Sequence, residues 1–305
     1  MDTNEDHDEV ASDSPAGEDE VDLEIPGDKE NDMSEWWTWG NFARLFIVPL
    51  VIVAVAVLVY GLFQFMVRDH RAVNDYIQQI EQGTERSRWR AAFDLAQQVQ
   101  SQGRAKEFTL TEVRRIIQLF NQSDQPRVRM YLARVLGYIP SSTSREALRD
   151  SLEDPDPGVR INSMVALGQM EAGASVDRIA DLLEDENSDV RRMAAYVLGS
   201  LGDKEAVDEL RAALGDTEPD VRWNVAIALA RLGNESGRSV LRDILESARD
   251  GELSSMDPNV RSNLLVNALK AFEKIGGVED TALMEELQEN DPSPEVRKQA
   301  LQLFG

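Results

Sequence analysis

Arginine recurs at a regular spacing along the C-terminal two thirds of the sequence, each time directly after a valine. The positions are first 31 residues apart and then 39 and 36 apart: Arg129, Arg160, Arg191, Arg222, Arg261 and Arg297. A guanidinium binds a carboxylate or a phosphate through parallel hydrogen bonds. The row is suited either to line a groove for an anionic ligand or to stitch repeats together through acids of adjacent turns, such as Asp156, Asp189 and Asp220. Because capping carboxylates lie near each arginine, the sequence favours stitching.

The residue types of most catalytic and metal sites are scarce in this chain. It has no cysteine and two histidines, His7 and His70, both N-terminal to the arginine row. Histidine bases, Ser-His nucleophiles and His or Cys metal ligands are therefore excluded from that region. The acids Glu184, Asp185 and Glu186 fit capping turns, with calcium binding as the alternative. We predict no catalytic residue, no cofactor and no metal site, and hence a protein that is not an enzyme.

The positions around each arginine describe a pair of helices. Two residues before the valine stands a proline in five units, or Ser188 in the sixth, and proline suits the first position of a helix. Apolar residues follow four, five, seven and eight positions after the valine, which is the period of one helical face. Gly202 and Gly233 suit helix ends. A shorter amphipathic stretch follows, as in residues 204–216 and 236–247. Trp89-Arg90 begins a degenerate first unit, which makes seven.

This pattern predicts an all-α solenoid, because recurrence at a fixed period is typical of stacked repeats. The stretches DPDPGVR, SDVRRMAAYVLGSLGD and EPDVRWNVAIALARLGN resemble HEAT repeats, in the short bacterial form named after the phycocyanobilin lyases. The resemblance implies an armadillo-like α-solenoid of about seven helix pairs over residues 86–305. It implies no single activity, since scaffolds, lyases and hydroxylases share the repeat. The His-Glu pairs through which the HEAT-repeat hydroxylases bind iron are missing.

The N-terminal part of the chain has a different composition. The net charge of the whole chain is −24, and residues 1–35 hold fifteen acids against Lys29. We expect this tail to be disordered. The stretch from Leu45 to Val67 has no charged residue and, as a helix of about 35 Å, is long enough to cross a bilayer. Trp36, Trp37 and Trp39 suit its headgroup boundary. We therefore predict an aromatic belt and single transmembrane helix over 36–67, then a juxtamembrane helical linker over 68–85.

These features predict a single-pass membrane protein, in a bacterial inner membrane. Lys and Arg are more frequent after the apolar stretch than before it, which favours a cytoplasmic solenoid. The strong negative charge argues against nucleic acid as a partner.

The function favoured by the sequence is a membrane-anchored, non-catalytic scaffold or adaptor. The second helices of an α-solenoid line an extended surface, which here would bind protein partners and help to assemble or position a membrane-associated complex. Candidate partner-binding residues are Trp223, Arg192, Arg211 and Arg242. The lipid bilayer is the other expected partner, through Leu45 to Val67. The alternative function is a phycocyanobilin lyase-like enzyme or cofactor-handling accessory.

Overall fold

The computed structural model describes residues 47–67, 73–102, 108–170, 175–277 and 281–304. Over these residues the chain forms fifteen α-helices and no β-strand. It divides into two compact units, residues 1–70 and 71–305. Each unit has its own architecture.

The first unit contains one described helix, α1, over Val48–Val67. Apolar side chains on all its faces are exposed between residues 48 and 60, including Leu50 at 70% and Val57 at 64%. In the described part of the chain, no helix has both the length and the hydropathy needed to cross a membrane. Leu45, the start of the predicted span, and Trp36, Trp37 and Trp39 lie outside the described residues, as does the acidic tail.

The second unit is a stack of helix pairs. It opens with α2 over Val73–Gln82 and continues in chain order with α3 over Glu85–Gln102, α4 over Leu110–Gln122, α5 over Pro126–Gly137, α6 over Ser142–Asp150, α7 over Pro157–Gln169, α8 over Val176–Asp181, α9 over Ser188–Leu201, α10 over Val207–Ala213, α11 over Pro219–Arg231, α12 over Arg238–Arg249, α13 over Pro258–Lys274, α14 over Thr281–Asn290 and α15 over Pro294–Phe304. The odd-numbered helices from α3 to α15 pack side by side as the first layer. The even-numbered helices pack against them as the second layer. This confirms the predicted all-α repeat solenoid.

The solenoid begins earlier than residue 86. Helix α2 packs on α3 and α4, and it buries Val73, Tyr76, Ile77 and Ile80 in the same core. These four side chains follow the i, i+3, i+4, i+7 pattern of a core-facing helix. Part of the segment expected to be a linker is therefore an additional second-layer helix, which covers the apolar face of the first repeat.

Capping residues place each Val-Arg pair in the first turn of a first-layer helix. The side chains of Asp156, Asn187 and Asp257 accept hydrogen bonds from backbone N–H groups of α7, α9 and α13. Proline occupies the first position of α5, α7, α11 and α13, where no backbone donor is lost. Gln125 and Glu218 make no such side-chain bond. In five units the valine is fully buried: Val128, Val159, Val190, Val221 and Val296. Burial of this valine directs the next residue, the arginine, to the edge of the stack.

Small residues let the first-layer helices approach one another closely. Gly137, Gly168, Gly199 and Ala230 recur at the same position of successive units. A Cβ added at Gly199 would lie 2.7 Å from both Cα and Cβ of Ala228 on the next helix. Only glycine permits that distance between α9 and α11, since real Cβ contacts are longer.

Candidate partner-binding surface and arginine ladder

The arginines of the repeats first bind the turn that precedes their own helix. In five of the six, all except Arg261, Nη1 donates to the backbone carbonyl six residues earlier. Arg160 donates to Asp154 at 2.8 Å, Arg191 to Asp185 at 2.9 Å and Arg222 to Asp216 at 2.8 Å. Arg129 binds Ser123 and Arg297 binds Asp291 in the same way, at 2.8 and 2.6 Å. This contact gives the backbone carbonyl in the turn before each of these five helices a hydrogen-bond donor.

The same guanidinium groups also bind a carboxylate in the following turn. Arg129 binds Asp154 through Nε–Oδ2 at 2.8 Å and Nη2–Oδ1 at 2.9 Å. Arg160 binds Asp185 through Nη2 at 2.8 Å. Two further pairs, Arg191–Asp216 and Arg261–Asp291, are bidentate like the first. We call these four ion pairs, together with the carbonyl contacts, the arginine ladder. It joins consecutive repeats along one edge of the solenoid.

The carboxylates of the ladder are not the ones that the sequence suggested. Asp156 caps its own helix through a bond from the backbone N–H of Val159, and Asp189 pairs with Arg192. Neither these two carboxylates nor Asp220 binds an arginine of the ladder in the described residues. The ladder carboxylates stand six residues before the next arginine. Each also accepts a backbone N–H two residues on, as Asp216 does from Glu218 at 2.8 Å. The recurrent Asp at this offset was the signal in the sequence that could have identified them.

The side chains of the ladder ion pairs are largely shielded from solvent. The side chains of Arg191 and Asp216 are 14% and 8% exposed. The hydrogen bond from Arg191 lowers the pKa of Asp216 below its ordinary value, and burial opposes that shift. The hydrogen bonds to Asp154 and Asp216 raise the pKa of Arg129 and Arg191. Arg191 and Asp216 are therefore both charged at neutral pH. Four of the six arginines hold the repeats together through such pairs.

The four candidate partner-binding residues lie on helices of two different layers. Arg192 on α9 pairs with Asp189 at 2.7 Å, while Trp223 on α11 is half-buried against the core. Arg211 on α10 is exposed and lies 3.5 Å from Asp208. On α12, the buried Nε of Arg242 has no hydrogen-bond partner among the described residues. Arg192 and Trp223 therefore belong to the first layer, and Arg211 and Arg242 to the second.

An acidic groove lies between α8 and α10 in the second layer. Its volume is about 850 Å³, and Ala180, Leu183, Ala212 and Ala213 form part of its lining. Its acidic lining residues outside the ladder are Asp181, Glu184, Asp208 and Glu209. All four are exposed. Asp185, Asp216 and Arg191 of the ladder also line the groove.

Calcium binding at Glu184–Glu186 was the alternative to capping. Over the residues that the structure describes, no three histidine or acidic side chains form a group that could hold a metal ion. Asp185 accepts hydrogen bonds from Arg160 and from the backbone of Asn187. Its carboxylate therefore has a structural role in the ladder.

Comparison with known families identifies the repeat. The family model described as HEAT repeats matches residues 113–185 and again 176–256. Residues 113–256 therefore contain HEAT repeats. No curated protein sequence matches it.

Comparison with solved structures concerns the fold of the solenoid. The complex of CpcE and CpcF of phycocyanin lyase from Nostoc sp. PCC7120 is 17% identical in sequence, with a TM-score of 0.51 over 77% of this chain and 94% of that chain. At this identity the likeness shows a shared fold. The archaeal HEAT-like repeats protein from Thermococcus onnurineus NA1 is 14% identical, with a TM-score of 0.43 over 77% of this chain and 97% of that one.

Proposed function

We propose that this HEAT-repeat protein is a non-catalytic scaffold that binds protein partners through its second layer of helices. Its role is to assemble or position a membrane-associated complex, and the first unit tethers it to the membrane. The observation that carries the proposal is the acidic groove between α8 and α10. HEAT solenoids offer such surfaces between successive second helices, where a peptide or a helix of a partner fits.

The chemistry of the groove indicates a basic partner segment. Asp181, Glu184 and Glu209 have no salt bridge to a basic side chain among the described residues. Unpaired carboxylates of one sign attract Lys and Arg and raise the rate of association. Alanine and leucine side chains in the lining can contact the aliphatic parts of those side chains. We include Trp223, Arg192, Arg211 and Arg242 as further contacts of the partner outside the groove.

The proposed tether rests on the first helix and the residues before it. Helix α1 has 20 residues, or about 30 Å at 1.5 Å per residue, and its sequence has no charged side chain. Because α1 alone does not meet the requirements for a span, the proposal rests on the longer uncharged stretch from Leu45 to Val67, which as a helix could cross a hydrocarbon core of about 30 Å. In water, apolar side chains exposed on every face would be unfavourable, whereas lipid or a partner helix would cover them. We propose a single span in a bacterial inner membrane, with the solenoid in the cytoplasm.

Site-specific cross-linking in native membranes tests the scaffold function. A photo-reactive amino acid replaces Ala212, an exposed residue of the groove, and in a matched control it replaces Glu286 on α14. We expect one partner to be captured reproducibly from position 212 and not from 286. Capture of lipid or of the protein itself alone would contradict the proposal.

Charge-neutralised variants then test the chemistry of binding. The groove variant combines Asp181→Asn, Glu184→Gln and Glu209→Gln, and the control combines Glu285→Gln, Glu286→Gln and Glu289→Gln on α14. Both remove three exposed negative charges, and neither disturbs the core. The groove variant should lose the cross-linked partner, while the control retains it. Equal loss in both would show that only net charge matters.

The lyase-like alternative remains a prediction. A shared fold at 17% identity does not extend to activity. A change in bilin absorbance on mixing with the purified protein would support it.

A further inference from the structure

The arginine ladder is interrupted between the fifth and sixth repeats. Arg222 donates through Nη1 to the carbonyls of Asp216 and Thr217, at 2.8 and 3.0 Å. Within the described residues it forms no salt bridge to a carboxylate, unlike Arg129, Arg160, Arg191 and Arg261. The interface between α11 and α13 therefore lacks the ion pair that joins its neighbours.

The ion pair is missing because the chain between Arg222 and Arg261 is longer than in the preceding units. These two arginines are 39 residues apart, against 31 in the preceding units, and we call the extra residues before the sixth repeat the insertion. The ladder carboxylate stands three residues before the first residue of the helix in four turns, at Asp154, Asp185, Asp216 and Asp291. In the turn before Pro258 that position is Ser255, at the end of a short 3-10 helix that follows Gly251 with φ +78°. Ser255 is exposed, whereas the four aspartate side chains are at most 10% exposed. This turn therefore supplies no carboxylate to the ladder.

The valine next to the missing ion pair is also uncovered. Val260 is 54% exposed, although the valine at this position is fully buried in the units at Val128, Val159, Val190, Val221 and Val296. An exposed valine forfeits much of the free energy that burial of its side chain provides. The first turn of α13 thus lacks both the ion pair and the buried valine that hold the equivalent turns of α7, α9, α11 and α15 against their neighbours.

At the opposite edge of this interface, hydrogen bonds join the fifth and sixth repeats. Arg238, at the start of α12, donates from Nη2 to the carbonyl of Ile275 at 2.6 Å and from Nη1 to that of Gly277 at 2.9 Å. Both acceptors lie just after the C-terminal end of α13. Hydrogen bonds from a charged donor are among the stronger ones in proteins. Contact between the two repeats is therefore maintained at this edge.

We propose that the fifth and sixth repeats form a hinge that opens at the ladder edge and pivots about Arg238. Repeats on the N-terminal side, which carry the acidic groove, move as one arm. The arm formed by α13, α14 and α15 changes its angle to them. Hinges use a few residues at element ends, and local opening is easiest where buried contacts are few. This motion is a property of the free chain and does not depend on the proposed partner.

Distance measurements between spin labels test the hinge in the full-length chain, which has no native cysteine. The test pair, Asp220→Cys with Asn259→Cys, spans the first turns of α11 and α13. Two control pairs span the flanking interfaces: Asp189→Cys with Asp220→Cys, and Asn259→Cys with Glu295→Cys. All four positions are exposed and directly precede the valine of their unit. We expect a broader distance distribution for the test pair than for both controls. Equal widths would overturn the proposal.

A second variant tests whether the ladder is the cause. Asp216→Ser places at the fourth interface the residue that stands at the interrupted one. It should broaden the distribution of the 189–220 pair and leave that of the 259–295 pair unchanged. A 189–220 distribution as narrow as in the parent would show that the ion pair does not limit the motion, and that would also overturn the proposal.

Discussion

Arg191 and Asp216 form a bidentate ion pair that joins the fourth and fifth repeats, with Nε–Oδ2 at 2.6 Å and Nη2–Oδ1 at 3.0 Å. The two residues are 25 positions apart, at the start of α9 and in the turn before α11. Arg191 also donates to the carbonyl of Asp185, the ladder residue of its own turn. One side chain thus fixes the relative position of two successive turns, and its repetition along the edge makes the stack continuous.

Replacing Asp216 by alanine should lower the free energy of unfolding by about 2 to 4 kcal/mol. The change leaves the largely buried guanidinium of Arg191 without its carboxylate and the backbone N–H of Glu218 without its acceptor. Urea denaturation followed by circular dichroism measures the effect. The matched control is Asp208→Ala, whose carboxylate is 89% exposed and 3.5 Å from Arg211. Its effect should stay within about 0.5 kcal/mol, because exposed pairs contribute little. Similar losses in both variants would contradict a structural role for the ladder.

Stability should depend on pH through Asp216. The unfolded carboxyl titrates near 3.8, and the hydrogen bond from Arg191 lowers its pKa in the folded state. Between the two pKa values the unfolded chain binds more protons, so the contribution of Asp216 rises with pH. It is fully present above about pH 4 and is lost as the pH falls through the folded pKa. The difference in unfolding free energy between the parent and Asp216→Asn should therefore be constant near neutral pH and shrink below about pH 4. A difference that does not shrink would show that the ionised carboxylate is not what stabilises the fold.

Adding one methyl group at Gly199 should destabilise the solenoid despite the better helix propensity of alanine. The new Cβ would lie 2.7 Å from Cα and Cβ of Ala228, so α9 and α11 must separate. We expect Gly199→Ala to cost about 1 to 3 kcal/mol, as overpacked cores do. Thermal denaturation provides the measurement. As a control, Gly215→Ala meets no atom closer than the carbonyl of Ala212 at 3.7 Å, and its melting temperature should be near that of the parent. An unchanged melting temperature for Gly199→Ala would contradict close packing between these helices.

The tether can be tested by fractionating the cells that produce the protein. If Leu45 to Val67 spans a bilayer, the chain should resist extraction with alkaline carbonate and should dissolve only in detergent. Removing these residues should move the solenoid to the soluble fraction. A variant that lacks only residues 1–35 should stay with the membrane, since those residues are acidic and have little apolar surface. Extraction of the full chain by carbonate alone would exclude the span.

Local patterns in the sequence were sufficient to predict the repeat, its helices and its period. Proline and capping residues define where each first-layer helix begins, and apolar spacing defines its buried face, so both are readable within one unit. These features depend on residues a few positions apart in the sequence. For that reason the helices and the period of a repeat protein can be predicted from its sequence.

Contacts between units were decided only by the tertiary structure. The turn after Arg129 holds both Asp154 and Asp156, and the choice of Asp154 as its partner depends on how successive turns align in space. In the same way, α2 belongs to the core because it covers an apolar face of the first repeat. The repeat pattern within α2 itself does not indicate this contact. The missing partner of Arg222 follows from an insertion that displaces Ser255 and exposes Val260. A local pattern determines each helix pair, whereas the register between pairs is a long-range property of the stack.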